Sequence, residues 1–431
     1  MKHVIIILLF MQAALLFACN RDDTPGIKTD ANGTVVSMPS LWKLPVAENR
    51  EFGEGVVAPV IYQSRYVLMP GGGLRFGLPK GIPHMVDAYT GQLEWKWDDY
   101  QLRSENSFFR DNFCMKDNLL LHSWGSRTWV IDMNTGTTVW RRIKINDMSS
   151  SDLVGIGNDY YFVGLVPVEG IPYQSDGVVF RGKISSPVIE ERIVSPDLTR
   201  EVTDPNISTG QGVHTLQAFI RGQDTLLVIA YGKSILAVPR GISSKFGVYN
   251  VTRRQWEYKD IEFAPPAYGL VVDNLPQIHG DKVYHTVDRW ITCHELATGR
   301  EVWKQRFDGN FMFGGFVVVN GVLAANCEDL FLYGLDAQTG RRVWKTPSSG
   351  TASPMSVLNG VAYYSGGGDG HLYAVEVATG RTLWRLDSPD LKTSSAAFFY
   401  AAVAAVPGRD GGHGVVVAHT GLNVYGFEAA R

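Results

Sequence analysis

Charge is scarce in this 431-residue chain: Asp, Glu, Lys and Arg make up 19% of it, against about a quarter of an average soluble protein. The 40 basic and 43 acidic residues nearly cancel, leaving a net charge of −3, so no global positive field is available to hold nucleic acid. Cysteine is scarcer still, with 4 residues, none of them adjacent and none spaced as zinc ligands. Also absent are G-x-S-x-G, H-E-x-x-H and a Walker loop. Beyond the first twenty residues, no apolar run is long enough to span a bilayer. Apolar residues at 45% nevertheless exclude a disordered chain. What abounds is punctuation: 46 Gly and 20 Pro, with aromatics at 11%, favour many short strands over helices.

The apolar run from Val4 to Phe17, broken only by Gln12, is too short for a bilayer helix and fits a signal-peptide core. It ends in Leu16-Phe17-Ala18-Cys19, which resembles the lipobox of bacterial lipoproteins, with Phe17 larger than usual at its place. That resemblance implies cleavage before Cys19 and acylation of its thiol and new amine, a stable membrane anchor. Residues 1–18 are thus expected as a signal peptide. Residues 19–40, with Asp22, Asp23, Pro25, Gly26, Asp30 and Gly33, are expected as a flexible tether. Asn20 is not the Asp that retains some lipoproteins at the inner membrane, and Arg21-Asp22-Asp23 is similar to a short surface-export signal. The expected location is the outer membrane, on its periplasmic face or the cell surface. With Cys19 lipidated, Cys114, Cys293 and Cys327 remain, as buried free thiols or with a Cys293–Cys327 bridge.

A repeat organises residues 41–431. Its clearest copies run from Asp336 to Trp344 and from Glu376 to Trp384; others run from Asp87 to Trp95, Asp132 to Trp140 and Glu295 to Trp303. Each has Thr-Gly in the middle and Trp at the ninth place. A worn copy, Tyr249 to Trp256, lacks the Gly and one residue. Upstream, Asn320-Gly321 and Asn359-Gly360 supply the positive φ angles of tight hairpins. The acidic residue is placed to accept hydrogen bonds from turn amides, and the Trp to wedge between neighbouring sheets.

Four short antiparallel strands every 40–50 residues make a propeller blade. The interval between Trp140 and Trp256 requires a hidden blade, with strands at Tyr160 to Leu165, Val178 to Ile184 and Val188 to Val194. The C-terminal segment Val424 to Arg431 matches a third strand, and Leu41-Trp42-Lys43-Leu44 supplies the fourth. The expected fold is an all-β, eight-bladed β-propeller of four-stranded antiparallel blades, closed by N- and C-terminal strands in one blade, with seven blades as the alternative.

The Asp-x-x-Thr-Gly-x-x-x-Trp phrase resembles the repeat of pyrroloquinoline-quinone-type β-propellers. One branch of that family comprises quinoprotein dehydrogenases. Another comprises non-enzymatic propellers, among them an eight-bladed lipoprotein of the outer-membrane β-barrel assembly machinery. The enzymes carry an adjacent Cys-Cys disulfide against the quinone, which this sequence lacks. The resemblance therefore implies a lipid-anchored scaffold with a protein partner, in outer-membrane protein assembly or as a surface carbohydrate- or protein-binding lipoprotein. A quinone-dependent dehydrogenase is the remaining alternative. No cofactor, metal, catalytic residue or nucleic-acid partner is expected. His279, His285 and His294 fall on successive strands, and Gly71-Gly72-Gly73 and Gly366-Gly367-Gly368-Asp369-Gly370 read as inter-strand turns.

Partner binding is expected on the face opposite the Thr-Gly turns. There Pro70 to Pro83 and Tyr231 to Lys245 read as long loops without Asp or Glu. They offer Arg75, Phe76, Lys80, Lys233, Arg240 and Lys245, basic and apolar groups suited to an acidic partner.

Overall fold

The computed structural model describes residues 26–46, 59–69, 74–75, 78–79, 83–97, 113–124, 127–143, 150–167, 169, 175–196, 209–235, 240–263, 274–311, 315–392, 402–420 and 422–430. Cys19 and the signal-peptide stretch 1–18 lie outside the described residues. Within them, regular structure is strand throughout, save a short 3-10 turn at Pro389–Lys392.

Residues 316–347 show how the repeat folds. Strands Phe316–Val319, Val322–Cys327, Phe331–Asp336 and Arg342–Pro347 pair antiparallel in chain order. Asn320 and Gly321 turn the first hairpin at φ +49° and +81°. Asp336 accepts hydrogen bonds from the Gln338 and Thr339 amides and the Thr339 hydroxyl, while Gly340 takes φ +71°. The second hairpin is fixed by those bonds and by a position that favours glycine.

Units at 60–96, 113–143 and 277–306 are likewise separate four-stranded sheets. The last unit pairs Ala404–Val406, Val415–His419 and Asn423–Glu428 with the N-terminal strand Trp42–Pro45, as expected of a composite blade. Units 150–194 and 209–262, the former being the hidden blade, are fused into one eight-stranded sheet. A parallel pairing of Ser175–Gly177 with residues 210–212 joins them. Counts of seven and eight diverge at this fusion. A Cβ on Gly177 would lie 2.3 Å from the Val213 carbonyl oxygen, so only glycine admits the junction.

Apolar clusters link each unit to the next. Leu68 and Met85 pack with Leu120 and Ile131 at one interface, and Ile291 with Leu323 at another. Val67 and Val86 pack with Val406 and Val417, joining the first unit to the last. This is the expected β-propeller architecture.

One contact recurs between units. Trp42, Trp95, Trp303 and Trp344 each lie over the turn glycine of the following unit. A Cβ on Gly91, Gly136, Gly340 or Gly380 would come within 2.5 Å of the ring. Each indole N–H donates to the carbonyl of the residue after the turn's acidic group, namely Ala88, Met133, Ala337 and Val377. Trp140 donates likewise to Ile184, although that turn has Lys183 at the acidic place and Pro187 at the glycine place.

Three departures correct the sequence reading. The worn copy is one residue out: it runs from Asn250 to Tyr258 at full length. Asn250 accepts the Arg253 amide, Arg254 occupies the glycine position at φ +56°, and Tyr258 replaces Trp. Tyr258 lies against Gly299 and its hydroxyl donates to Leu296. At the fused junction, Glu191 stands at the Trp position and pairs with Arg254 at 2.8 Å, an ion pair in place of ring on glycine. Finally, part of the expected tether is structured. Lys28–Thr29 and Val35–Ser37 form a hairpin, and Val35 pairs in parallel with Trp384. In the composite unit the third and fourth strands come from opposite ends of the sequence, so Trp384 has no Thr-Gly turn to rest on. Val35 and Met38 pack with its cluster instead.

Gly380→Ala is expected to cost roughly 2–4 kcal/mol, from a left-handed backbone and an overpacked ring. Gly360→Ala, at φ +80° with open space around it, carries only the backbone cost. Urea unfolding of both variants checks this. Equal losses would show that the ring does not bear on the turn.

Candidate interaction surface

Hydrogen bonds define two faces. On one, the amide after each turn's acidic residue reaches the first hairpin, as in Ala337 to Gly321 and Val377 to Gly360. On the other, the chain leaving each fourth strand bonds the turn between second and third strands, as in Ser348 to Leu330 and Phe307 to Arg289. The second face therefore gathers the second-to-third-strand turns and the connections between units.

The strands of unit 209–262 are longest toward this face. Asp224–Ile235 and Arg240–Asn250 have 12 and 11 residues, against six in each counterpart of unit 277–306. Five or six extra residues per strand at about 3.3 Å each lift an arm about 17–20 Å above the neighbouring turns. The stretch from Tyr231 to Lys245, expected as a loop, is thus largely strand: its ends pair as Tyr231 with Lys245 and Ile235 with Arg240.

The other expected binding residues are scattered. Lys233 pairs with Ser243 and Gln211 on the arm. Arg75 belongs to a two-residue hairpin with Leu78 in the first unit. Phe76 and Lys80 lie outside the described residues. Lys245 is 3.7 Å from Asp260, whose carboxylate also accepts the Tyr231 hydroxyl. A run free of acid in sequence therefore meets a carboxylate from the adjoining strand in space.

The same face carries polar clusters whose pairings the sequence does not display. Glu328 accepts the Thr351 amide at 2.7 Å and its hydroxyl. His371 lies between two carboxylates: Nδ1 is 3.1 Å from Asp369, off hydrogen-bond alignment, and Nε2 is 3.0 Å from Asp387. Burial opposes ionisation of Asp369, but the imidazole and the Tyr373 hydroxyl beside it hold its carboxyl down to about 2. An Asp four residues before a Tyr recurs as Asp329–Tyr333 and Asp369–Tyr373, each with the hydroxyl donating to the carboxylate. That spacing was the available signal. Asp390 accepts from Thr420, Asn423 and Tyr425 and lies 3.4 Å from Lys43, clasping N- and C-terminal strands of the composite unit.

The glycine-rich stretch 366–370 is a closed turn, in keeping with its sequence reading. Ser349 Oγ accepts the amides of Gly368 and Asp369, and a Cβ on Gly367 would lie 2.0 Å from the Thr351 carbonyl oxygen. Cys114, Cys293 and Cys327 are free and buried, and burial pushes each thiol up to about 12. None lies beside another in sequence, so they do not fit the vicinal disulfide that packs on a quinone. Among the described residues no group of three or more His, Cys, Asp or Glu could hold a metal ion.

Residues 287–430 match the model of a family described as outer membrane protein assembly factor BamB. No curated protein matches the chain. Among solved structures, BamB from Moraxella catarrhalis is 9% identical, with a TM-score of 0.57, covering 91% of this chain and 99% of its own. A quinohemoprotein alcohol dehydrogenase from Comamonas testosteroni is 10% identical, with a TM-score of 0.65 over 91% of this chain and 77% of its own. A computationally designed protein, Ika8, is 12% identical, with a TM-score of 0.57 over 90% of this chain and all of its own. At these identities the likeness shows the propeller fold, and with the C-terminal match it supports a pyrroloquinoline-quinone-like repeat family.

His285 and His294 stand out in the interior. Both are fully buried beside Phe246 and Phe263, and none of their ring nitrogens has a hydrogen-bond partner among the described residues. Burial holds the His294 imidazolium down to about 4 and that of His285 well below its ordinary value. Their unfolded forms take up protons near 6.5, so stability is full above that pH and falls as acid is added. The expected slope is up to about 1.4 kcal/mol per pH unit for each histidine. Urea unfolding between pH 7.5 and 5 checks it, and His294→Gln should flatten the slope. An unchanged slope would mean that His294 is not held neutral.

Proposed function

We propose that the chain is a lipid-anchored outer-membrane scaffold that binds protein partners of the outer-membrane assembly machinery. The match of residues 287–430 to the assembly-factor model carries this reading. The lipobox-like Leu16-Phe17-Ala18-Cys19 supports an anchor on Cys19 and a position on the outer membrane, on its periplasmic face or the cell surface. A rigid disc with one long arm suits recognition, because long elements on a stiff frame present side chains at low entropic cost. The dehydrogenases share the fold alone. The buried, separated thiols do not fit their quinone platform, so no redox step is assigned. A surface carbohydrate- or protein-binding lipoprotein would need the same disc and anchor, with another partner.

Crosslinking in intact cells followed by purification from membranes is the test. Assembly subunits should be recovered with the wild-type chain, and Cys19→Ala should release it from the membrane fraction. Recovery of polysaccharide-uptake components instead would favour the second partner class. Alcohol- or sugar-dependent dye reduction by purified protein supplied with pyrroloquinoline quinone and calcium would contradict the scaffold reading.

A further inference from the structure

Leu330 is both strained and displayed. It sits in the turn between Val322–Cys327 and Phe331–Asp336 at φ +69°, and is 58% exposed. A lone exposed leucine is ordinary. A branched residue in the left-handed region is not, because its Cβ crowds the backbone. The next unit puts Gly370 at the same place, at φ +70°, which removes that crowding. Leu330 thus holds a branched side chain at a backbone angle that the next unit gives to glycine.

The turn cannot relax. Leu330 N–H donates to Cys327, Ser348 N–H donates to Leu330, Glu328 N–H donates to Asn310, and Thr351 binds the Glu328 carboxylate. Strain that the surroundings over-determine is characteristic of ligand clamps and anchors. Beside it, Lys345 Nζ lies 3.6 Å from the centre of the Phe331 ring, and among the described residues no carboxylate pairs with that ammonium. An aliphatic knob and an ammonium seated over the Phe331 and Tyr333 rings, with no carboxylate beside it among the described residues, therefore stand together on the face that also bears the arm.

We infer that Leu330, Phe331 and Lys345 form an anchor for a protein partner, one presenting an apolar pocket with a carboxylate at its rim. The inference rests on the scaffold reading and names a place and a chemistry that reading leaves open. The knob fills the pocket, the rigid turn limits the entropy lost on docking, and the ammonium finds its missing counter-charge.

In-cell photocrosslinking tests it, with p-benzoylphenylalanine in turn at positions 330, 343 and 240. Val343, exposed on an outer strand, is the control for the anchor, and position 240 reports on the arm. The expected result is one protein adduct at 330 and none at 343, with the crosslinked peptide carrying apolar side chains and an Asp or Glu. Lys345→Glu should lower that yield about tenfold. Leu330→Gly should leave the melting temperature unchanged or higher while lowering recovery of the same partner about tenfold. No adduct at 330 with one retained at 240 overturns the anchor and leaves the scaffold reading standing. Adducts at neither position count against both, and an adduct to a second copy of this chain overturns the anchor.

Discussion

The aromatic ring that lies on the next unit's turn is the contact on which the rest of the structure depends. A four-stranded sheet has two faces to bury and cannot bury both alone. Trp303 on Gly340 and Trp344 on Gly380 show how neighbours solve this together. Glycine removes the Cβ that would bar the ring, and the turn carbonyl takes the indole N–H, so the largest side chain of the repeat packs between units without an orphaned donor. The carboxylate that orders the turn serves the same contact, because it fixes the glycine in the left-handed conformation over which the ring can lie.

Where that contact is missing, something else takes its place, and these junctions set the molecule apart from a plain repeat. Glu191 and Arg254 replace ring and glycine where two sheets fuse, and the fused sheet carries the long arm. The hairpin of residues 28–37 covers Trp384, where a composite sheet has no turn to offer. Asp390 clasps Lys43 and Tyr425 across the same composite sheet. A regular frame with a few local exceptions concentrates distinctive surface in few places, which is the arrangement a scaffold needs.

Much of this was legible in the residues. Thr-Gly and Asn-Gly name their own backbone angles, and the Trp spacing announces the unit, so fold class, composite closure and hidden strands followed from local chemistry. The worn copy reads one residue early in the sequence because Trp256 mimics the wedge. Tyr258 performs that task, and no rule of composition tells a tyrosine wedge from a tryptophan packed on Tyr231 and Tyr249. The basic run from Tyr231 to Lys245 reads as a loop because it falls between the second and third strands of its unit. Its strand pairing is long-range, and Asp260 reaches Lys245 only in the folded sheet. The tether hairpin was invisible for the same reason: its stability comes from Trp384, some 350 residues away. Leu330 was visible as a residue, but its significance lies in a backbone angle that sequence does not display.

Hydrogen exchange at the indole N–H groups of protein labelled with nitrogen-15 tryptophan tests the central contact most directly. Trp42, Trp95, Trp140, Trp303 and Trp344 donate to carbonyls of the following unit, so their signals should persist long after transfer to deuterated water. Trp256, which donates to no group among the described residues, should exchange quickly. Rapid loss of all of these signals from the folded protein would contradict the account, because the rings would then not be holding neighbouring sheets together.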